Sequence, residues 1–419
     1  MREMKDSGIE WVGQMPKGWE LRRAKTLFTQ RNSKGNEIEV LLSPTQKYGV
    51  VPQSQLEGVV QVKEDTDLQM FKTVHKGDFV ISLRSFQGGF EYSLYEGVCS
   101  PAYQVFYPTS PICDTYYRYL FKSQSFISKM NNLTVGIREG KNIQYVDFAN
   151  SQIPVPPLAE QERIAAFLDA ECAEIDAVLE KTRASIEEYK KLKQAVITQA
   201  VTKSVRGDRP MKNSGIEWIG DIPAEWEIKR VKNICSLKTG STPSTGNVEW
   251  FNGDLLWFTP GDFNEKFVLL SSNRTLSRTA EKDGVATMIP ANSVLVVCIG
   301  GSAGKVGYTN YECSCNQQIT ALCKSNIIPK LLMYDVNAGM LFLRNTTMFT
   351  TLPILNNQAI GGLVLPIPRE EEQLSIIEYL DEKCAGIDAL IAKKQQYLTE
   401  IENYKKSLIY EYVTGKREV

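Results

Sequence analysis

The chain has 419 residues, of which 42% are hydrophobic and 23% charged, as in an ordinary globular protein. This length corresponds to about two to four domains. The net charge of −1 excludes a strongly basic protein that would bind nucleic acid through its overall charge. No apolar run has the length of a signal peptide or a membrane helix. Nine scattered cysteines, an odd number, indicate reduced thiols, so we expect a cytoplasmic protein without membrane association.

The first predicted element is a segment that occurs twice. Residues 4–28 (MKDSGIEWVGQMPKGWELRRAKTLF) align with residues 211–235 (MKNSGIEWIGDIPAEWEIKRVKNIC), and 13 of the 25 positions are identical. A second segment, residues 153–177, aligns with residues 365–389 at 12 identical positions of 25. The offsets are 207 and 212 residues. The chain is therefore predicted to be a tandem duplication of a unit of about 210 residues.

Between the repeated segments lie two stretches, residues 29–152 and 236–364, that align poorly with each other. Both alternate β-rich runs with Gly, Pro and Asn turns, and residues 77–82 and 293–298 each read as a buried strand. Helices are predicted over 116–130 and 329–343. We expect two mixed α/β domains of related design whose surfaces have diverged.

Each second repeated segment opens a long charged tail. Prolines and acidic residues mark a helix start in both tails, and Gly207 and Gly415 mark the expected ends. Apolar residues recur every 3.5 positions, which favours a coiled-coil seam. A single such stripe usually packs on its own domain, but two stripes of matching phase favour a mutual, antiparallel coiled coil. The predicted seam residues are Leu168, Ile175, Leu179, Ile186, Tyr189, Val196, Leu380, Ile387, Ile391, Leu398, Ile401 and Leu408.

The sequence offers no catalytic constellation. Its one histidine, His75, precedes a turn and has no partner motif. Residues 300–306 resemble a phosphate loop, but Val306 stands where Ser or Thr would hold Mg²⁺. Cys313, Cys315 and Cys323 lack the spacing of a zinc site. We therefore expect a binding and scaffolding chain that is not an enzyme and binds neither a metal nor a cofactor.

Polar side chains able to contact base edges cluster in several loops, although each loop alone also reads as a solvated turn. Residues 1–157 and 206–368 each carry a net charge of +2, whereas the tails carry −2 and −3, so the basic surface is confined to the heads. The loop candidates for DNA contact are Arg84, Ser85, Gln87, Tyr92, Arg138, Lys141, Asn142, Ser302, Lys305, Asn316, Gln317 and Gln318.

Over essentially its whole length the chain resembles the specificity subunit of a type I restriction–modification system. The resemblance is carried by the segment from Ser7 to Glu20 and its copy at 214–227, and by the proline-rich starts of the tails at 154–176 and 366–388. Gly77-Asp78-Phe79-Val80, Ser100-Pro101-Ala102-Tyr103 and Thr242-Pro243-Ser244 resemble the family's target-recognition domains, which adds Thr242 to the candidates.

The resemblance implies a division of the chain into target-recognition domains at 1–155 and 207–367 and helical spacers at 156–206 and 368–419. Each domain is expected to bind one half of a bipartite site in double-stranded DNA, and the weak match between them implies an asymmetric site. The helices would set the gap and dock two modification (methyltransferase) subunits.

Cofactors are expected only on those partners: S-adenosylmethionine on the modification subunits, and ATP and Mg²⁺ on a restriction subunit where one is present. The alternative interpretation is a coiled-coil scaffold that holds two partner-binding domains without DNA.

Overall fold

The structure, a computed structural model, describes residues 2–35, 40–56, 68–82, 89–133, 143–264, 266–346 and 354–419. The chain divides into two compact units, Met1–Arg183 with Gln395–Val419, and Ala184–Lys394. Along the described ranges, no helix combines the length and apolar character needed to cross a membrane.

The first unit contains two four-stranded sheets, with orders β4-β11-β8-β9 and β6-β5-β10-β7. Its strands are β1 (Met4–Asp6), β2 (Gln14–Pro16), β3 (Glu20–Arg23), β4 (Phe28–Arg31), β5 (Leu41–Thr45), β6 (Gly49–Pro52), β7 (Lys72–Val74), β8 (Phe79–Ile81), β9 (Phe90–Tyr92), β10 (Gly97–Cys99), β11 (Gln104–Pro108) and β12 (Gln152–Val155). Its helices are α1 (Asp114–Lys122), α2 (Gln124–Leu133), α3 (Tyr145–Asn150) and the first part of α4 (Leu158–Lys203).

The second unit contains a four-stranded sheet, β16-β22-β19-β20, and a three-stranded sheet, β18-β17-β21. Its strands are β13 (Met211–Asn213), β14 (Asp221–Pro223), β15 (Glu227–Arg230), β16 (Ser236–Thr239), β17 (Phe251–Phe258), β18 (Arg274–Leu276), β19 (Ser293–Val297), β20 (Val306–Thr309), β21 (Cys313–Cys315), β22 (Ile319–Cys323) and β23 (Val364–Ile367). Its helices are α5 (Val231–Ile234), α6 (Arg278–Lys282), α7 (Pro329–Thr346), α8 (Asn357–Gly362) and the first part of α9 (Glu370–Val413).

The two units share one topology. In each, the first repeated segment forms a hairpin, β1–β2 or β13–β14, and then a strand that pairs with the one before the long helix, β3–β12 or β15–β23. The second sheet of each unit contains one parallel pair, β5–β10 or β17–β21. The predicted mixed α/β tandem repeat is confirmed.

The cores differ in composition. Phe28, Phe79, Phe106, Phe121 and Phe148 are fully buried in the first unit and contact one another with ring centroids 4.7–6.1 Å apart. The second core is mainly Leu, Val, Ile, Met and Cys side chains from β19, β22 and α7. The same topology is therefore filled by aromatic side chains in one unit and mainly by aliphatic ones in the other.

The long helices pair as an antiparallel coiled coil, as predicted. In the first unit Lys405 of α9 donates to Asp176 of α4 at 2.6 Å, and in the second Lys193 of α4 donates to Asp388 of α9 at 2.8 Å. All the predicted seam residues are buried or half-buried. The seam therefore holds apolar contact along both helices, with one lysine–aspartate pair crossing it in each unit.

Two local predictions are wrong. The helix predicted over 116–130 is broken at Ser123, whose backbone is extended and whose hydroxyl donates to the carbonyl of Leu120 at 2.7 Å. Serine competes for backbone hydrogen bonds in this way and so ends α1. The first long helix ends at Lys203 and not at Gly207, because Ser204 takes a left-handed φ of 70°. Gly415 does follow the second helix, with φ 72°.

Candidate nucleic-acid interface

A glutamate at the start of each long helix, half-buried in the first unit and buried in the second, anchors the first repeated segment of the same unit. Glu160 accepts a hydrogen bond from Trp19 Nε1 at 2.9 Å and pairs with Arg2. Glu372 accepts from Trp226 Nε1 at 2.9 Å and from Arg209 at 2.6 Å. These roles were not predicted from the sequence, although the duplicated Trp and Glu residues were the signal that could have revealed them.

The neighbouring glutamine ties the α/β domain to the same helix. Gln161 Oε1 accepts from the backbone N–H of Cys113 at 3.0 Å, and Gln373 Oε1 accepts from that of Ile328 at the same distance. Each side-chain amide also donates to a proline carbonyl five residues earlier. The repeated Glu-Gln pair therefore fixes each domain on its helix, which leaves the loops at the far edge of the sheet free to vary.

Strand register brings the second unit's candidate loops to one sheet edge. Thr239, at the end of β16, pairs with Thr320, and Val297, at the end of β19, pairs with Ile319. The loop after β16, the β19–β20 turn and the β21–β22 turn therefore meet at this edge, here called the readout edge. It carries all the second-unit candidates, which are Thr242, Ser302, Lys305, Asn316, Gln317 and Gln318.

At the readout edge, two polar side chains are exposed and a third holds the turn in place. The Thr242 hydroxyl donates to Gln317 Oε1, and both residues are exposed. Asn316 is only 8% exposed; its Nδ2 donates to Gln318 Oε1 at 3.1 Å, and its Oδ1 accepts from the Gln318 backbone. Asn316 thus holds the turn, whereas Gln317 and Thr242 bond to each other at an exposed position.

The β19–β20 turn adds a cation to the readout edge. Lys305 is exposed, and its ammonium donates to the carbonyl of Phe263 at 3.1 Å, which leaves further N–H groups for a ligand. Ser302 is half-buried, and its carbonyl accepts from the Lys305 backbone at 3.1 Å. The edge therefore combines an ammonium group with amide and hydroxyl groups, which is the chemistry that contacts phosphates and base edges.

In the first unit, most candidates lie outside the described residues, namely Arg84, Ser85, Gln87, Arg138, Lys141 and Asn142. Tyr92 is described and half-buried: its hydroxyl donates to Asp114 at 2.8 Å, and Arg118 lies over its ring. Burial and the bond to Asp114 raise the pKa of Tyr92 above its usual value. Its hydroxyl is thus committed to a partner inside the domain.

Comparison with known proteins identifies the family. The sequence profile described as "Type I restriction modification DNA specificity domain" matches residues 16–188 and 223–402. The chain belongs to this family. Both matches contain one of the two recognition domains described above, so the duplication seen in the sequence is a pair of specificity domains.

The relatives of this specificity chain extend over different shares of its length. It is similar to the type I restriction enzyme MjaVIII specificity subunit of Methanocaldococcus jannaschii, 25% identical over 67% of this chain and 66% of the relative, just under two thirds of that protein's length. The putative MjaX specificity subunit of the same organism is 24% identical over 97% and 96%.

A chain from a solved structure described as showing complex assembly and conformational transition of the type I R-M system is also similar. It superposes with a TM-score of 0.71 and 16% identity, over 96% of this chain and 99% of that one. At this identity the likeness concerns the fold.

One buried carboxylate on strand β9 of the first specificity domain has a raised pKa. Glu91 is 1% exposed, and burial raises its pKa to about 7, although Lys122 pairs with it and opposes the shift. Its Oε2 has no hydrogen-bond partner among the described residues. The group therefore changes charge near neutral pH on β9, the strand that also carries Tyr92.

The thiols of the specificity domains are free and mostly buried. All nine cysteines are unpaired, and only Cys113 is half-buried rather than buried. Burial raises the pKa of Cys313 to about 12, and that of Cys315 is also raised. Among the described residues, no group of three or more His, Cys, Asp or Glu side chains is arranged to hold a metal ion. These cysteines act as small apolar core residues.

Proposed function

We propose that this chain is the sequence-specific DNA-binding subunit of a type I restriction–modification complex, with each specificity domain reading one half of a bipartite, asymmetric site. The observation that carries the proposal is the readout edge, where one strand register gathers Gln317, Thr242 and Lys305 at the end of a rigid sheet. Amide side chains contact adenine bidentately, and lysine contacts phosphates. The family membership agrees with this assignment.

The long helices are the proposed docking surface for two modification subunits. In the second unit, the contacts Lys193–Asp388 and Tyr189–Lys394 set a register that places Leu192 opposite Leu390. These leucines are 48% and 43% exposed.

The first unit repeats this arrangement. The pairs Asp176–Lys405 and Arg183–Glu402 set a register that places Val178 opposite Tyr404, which are 39% and 52% exposed. One apolar pair of equivalent position in each unit supports two copies of one partner, because identical partners need equivalent surfaces.

The chemistry of the complex is assigned to the partners. The modification subunits would bind S-adenosylmethionine and methylate adenine, and a restriction subunit would use ATP and Mg²⁺, whereas this chain would be non-catalytic. The cytoplasm is the proposed compartment, which agrees with the nine free thiols. The pure scaffold alternative has no observation in its favour.

Mapping of methylated adenines in cells that express the chain with its modification subunits tests the proposal. The expected result is one bipartite motif with two different halves. Replacement of Thr242 and Gln317 by Ala should alter or relax one half only, since each lost base contact costs about 1–3 kcal/mol of discrimination. Lys282→Ala, an exposed change on α6, is the control and should leave the motif unchanged. A motif that does not depend on which specificity chain is expressed would refute the proposal.

A further inference from the structure

A cleft in the second unit lies beside the readout edge, and its lining includes four cations and one carboxylate. It has a volume of about 180 Å³ and is bordered by α4, the β19–β20 turn and the end of α7. Its charged lining residues are Lys190, Lys193, Lys305, Arg344 and Asp388, and Gln194, Asn264 and Asn337 add amide groups.

The cations exceed the carboxylates in this cleft. Asp388 is already paired with Lys193 at 2.8 Å. No carboxylate of the described residues lies within ion-pair distance of Lys305 or Arg344, and the ammonium of Lys305 contacts only the Phe263 carbonyl there. The cleft therefore keeps a net positive charge after its internal pairs are counted.

The backbone is shaped to place Arg344 against the turn that carries Lys305. Gly304 has a left-handed φ of 85°, and a Cβ at this position would lie 2.5 Å from Cδ of Arg344. Only glycine combines this conformation with so close an approach. The stem of Arg344 thus lies across the turn that carries Lys305, and both residues line the same cleft.

A larger cleft, of about 1060 Å³, continues past Arg344 along α4. Its lining adds Lys191 and Lys203, but also the carboxylates of Glu187, Glu217 and Asp221. The charges of the larger cleft nearly cancel, so the excess positive charge is confined to the smaller cleft, where lysine and arginine can contact phosphate oxygens.

We propose that Lys305 and Arg344 hold the sugar-phosphate backbone of double-stranded DNA in this cleft and so set the orientation of the duplex on the readout edge. The inference rests on the proposed function. Duplex DNA is favoured over an acidic protein segment because the same β19–β20 turn forms the cleft and the readout edge, and a duplex read at that edge presents its phosphates beside it.

The test is DNA binding by the full chain assembled with its modification subunits, measured as a function of salt. Lys305→Gln, Arg344→Gln and the double variant are compared on a duplex with the mapped methylation motif and on a scrambled duplex. Each single change should lower affinity about fivefold for both duplexes at about 0.15 M salt, and reduce the salt slope by about 0.9. The double variant should reduce the slope by about 1.8.

Lys324→Gln is the matched control, because Lys324 follows the opposite end of β22 and the substitution also removes one positive charge. It should keep the wild-type slope. If the wild-type complex binds neither duplex, the proposed function itself fails. If the wild type binds and both test variants behave as Lys324→Gln does, only the cleft inference fails. It fails equally if Arg344→Gln releases a modification subunit with an unchanged salt slope, since the occupant would then be protein.

Discussion

Glu372 occupies the position in the second unit that Glu160 occupies in the first, and each accepts a hydrogen bond from a tryptophan. Its carboxylate is 2% exposed and accepts hydrogen bonds from Ser204, Arg209 and Trp226. Burial opposes its ionisation, but these three donors outweigh burial and lower the pKa of Glu372. A carboxylate with this environment stabilises the fold in its charged form only.

Glu372→Gln should therefore lower the free energy of unfolding by about 2 kcal/mol at pH 7, the value of charge-assisted hydrogen bonds. Because the folded pKa is depressed, the stabilisation is present above the unfolded pKa of about 4.3 and is lost as pH falls through the folded pKa. The difference between wild type and variant should accordingly shrink below about pH 4.

Urea unfolding followed by tryptophan fluorescence measures this difference. Glu371→Gln, at the exposed neighbouring position, is the control and should change stability by less than about 0.5 kcal/mol. An equal loss in both variants would mean that the buried contacts of Glu372 contribute nothing specific.

Among single residues, sequence reasoning predicted chemical type better than role. Gln317 was a loop candidate and Thr242 came from the family resemblance; both are exposed at the readout edge, where they bond to each other. Asn316 and Tyr92 were chosen by the same logic, yet their polar groups bond within the domain. Side-chain type identifies a hydrogen-bonding group, but only the three-dimensional fold decides whether the partner is internal.

At the scale of elements, the long helices were the most predictable part of the fold. A 3.5-residue period over both tails depends only on local spacing, and two copies in phase implied a shared seam. The sheets were less predictable, because their order depends on pairing between residues far apart in the chain. Residues 77–82 and 293–298 were predicted as strands. The strand pairing that brings the loops together at the readout edge was not predicted.

The exposed apolar pairs on the coiled coil are predicted to bind the modification subunits. Leu390→Glu and Tyr404→Glu should each release one modification subunit, because a charge placed on an apolar docking surface must be desolvated on binding. The double variant should release both. Stability of the chain should hardly change, since both side chains are 43–52% exposed.

Native mass spectrometry of the assembled complex counts the bound subunits. Ala392→Glu and Lys406→Glu are matched controls. Each position is exposed and lies two residues further along the same helix, so its side chain points away from the exposed apolar pair. Full assembly of the Leu390→Glu and Tyr404→Glu complexes would place the docking surface elsewhere.

For the whole molecule, the near-zero net charge is a balance between basic domains and acidic helices. The domains carry +2 each and the helical tails −2 and −3. The duplication gives three contacts of the first unit a counterpart in the second: those of Glu160 and Glu372, of Gln161 and Gln373, and of Lys405 and Lys193.

If the helices set the gap between half-sites, longer helices should lengthen the gap. Seven residues inserted after Arg183 and seven after Lys394 preserve the 3.5-residue seam in both helices of the coiled coil. They add about 10 Å at 1.5 Å per residue, which corresponds to roughly three base pairs at 3.4 Å each.

Adenine-methylation mapping of the double-insertion chain should then give the same two half-sites separated by about three more base pairs. The half-sites should not change, because both insertions lie in the helices and outside the α/β domains. Insertion after Arg183 alone is the control: it leaves the partner helix short, mismatches the seam, and should reduce methylation instead of shifting the motif. An unchanged gap in the double-insertion chain would show that the helices only dock the partners, and that the partners themselves hold the half-sites apart.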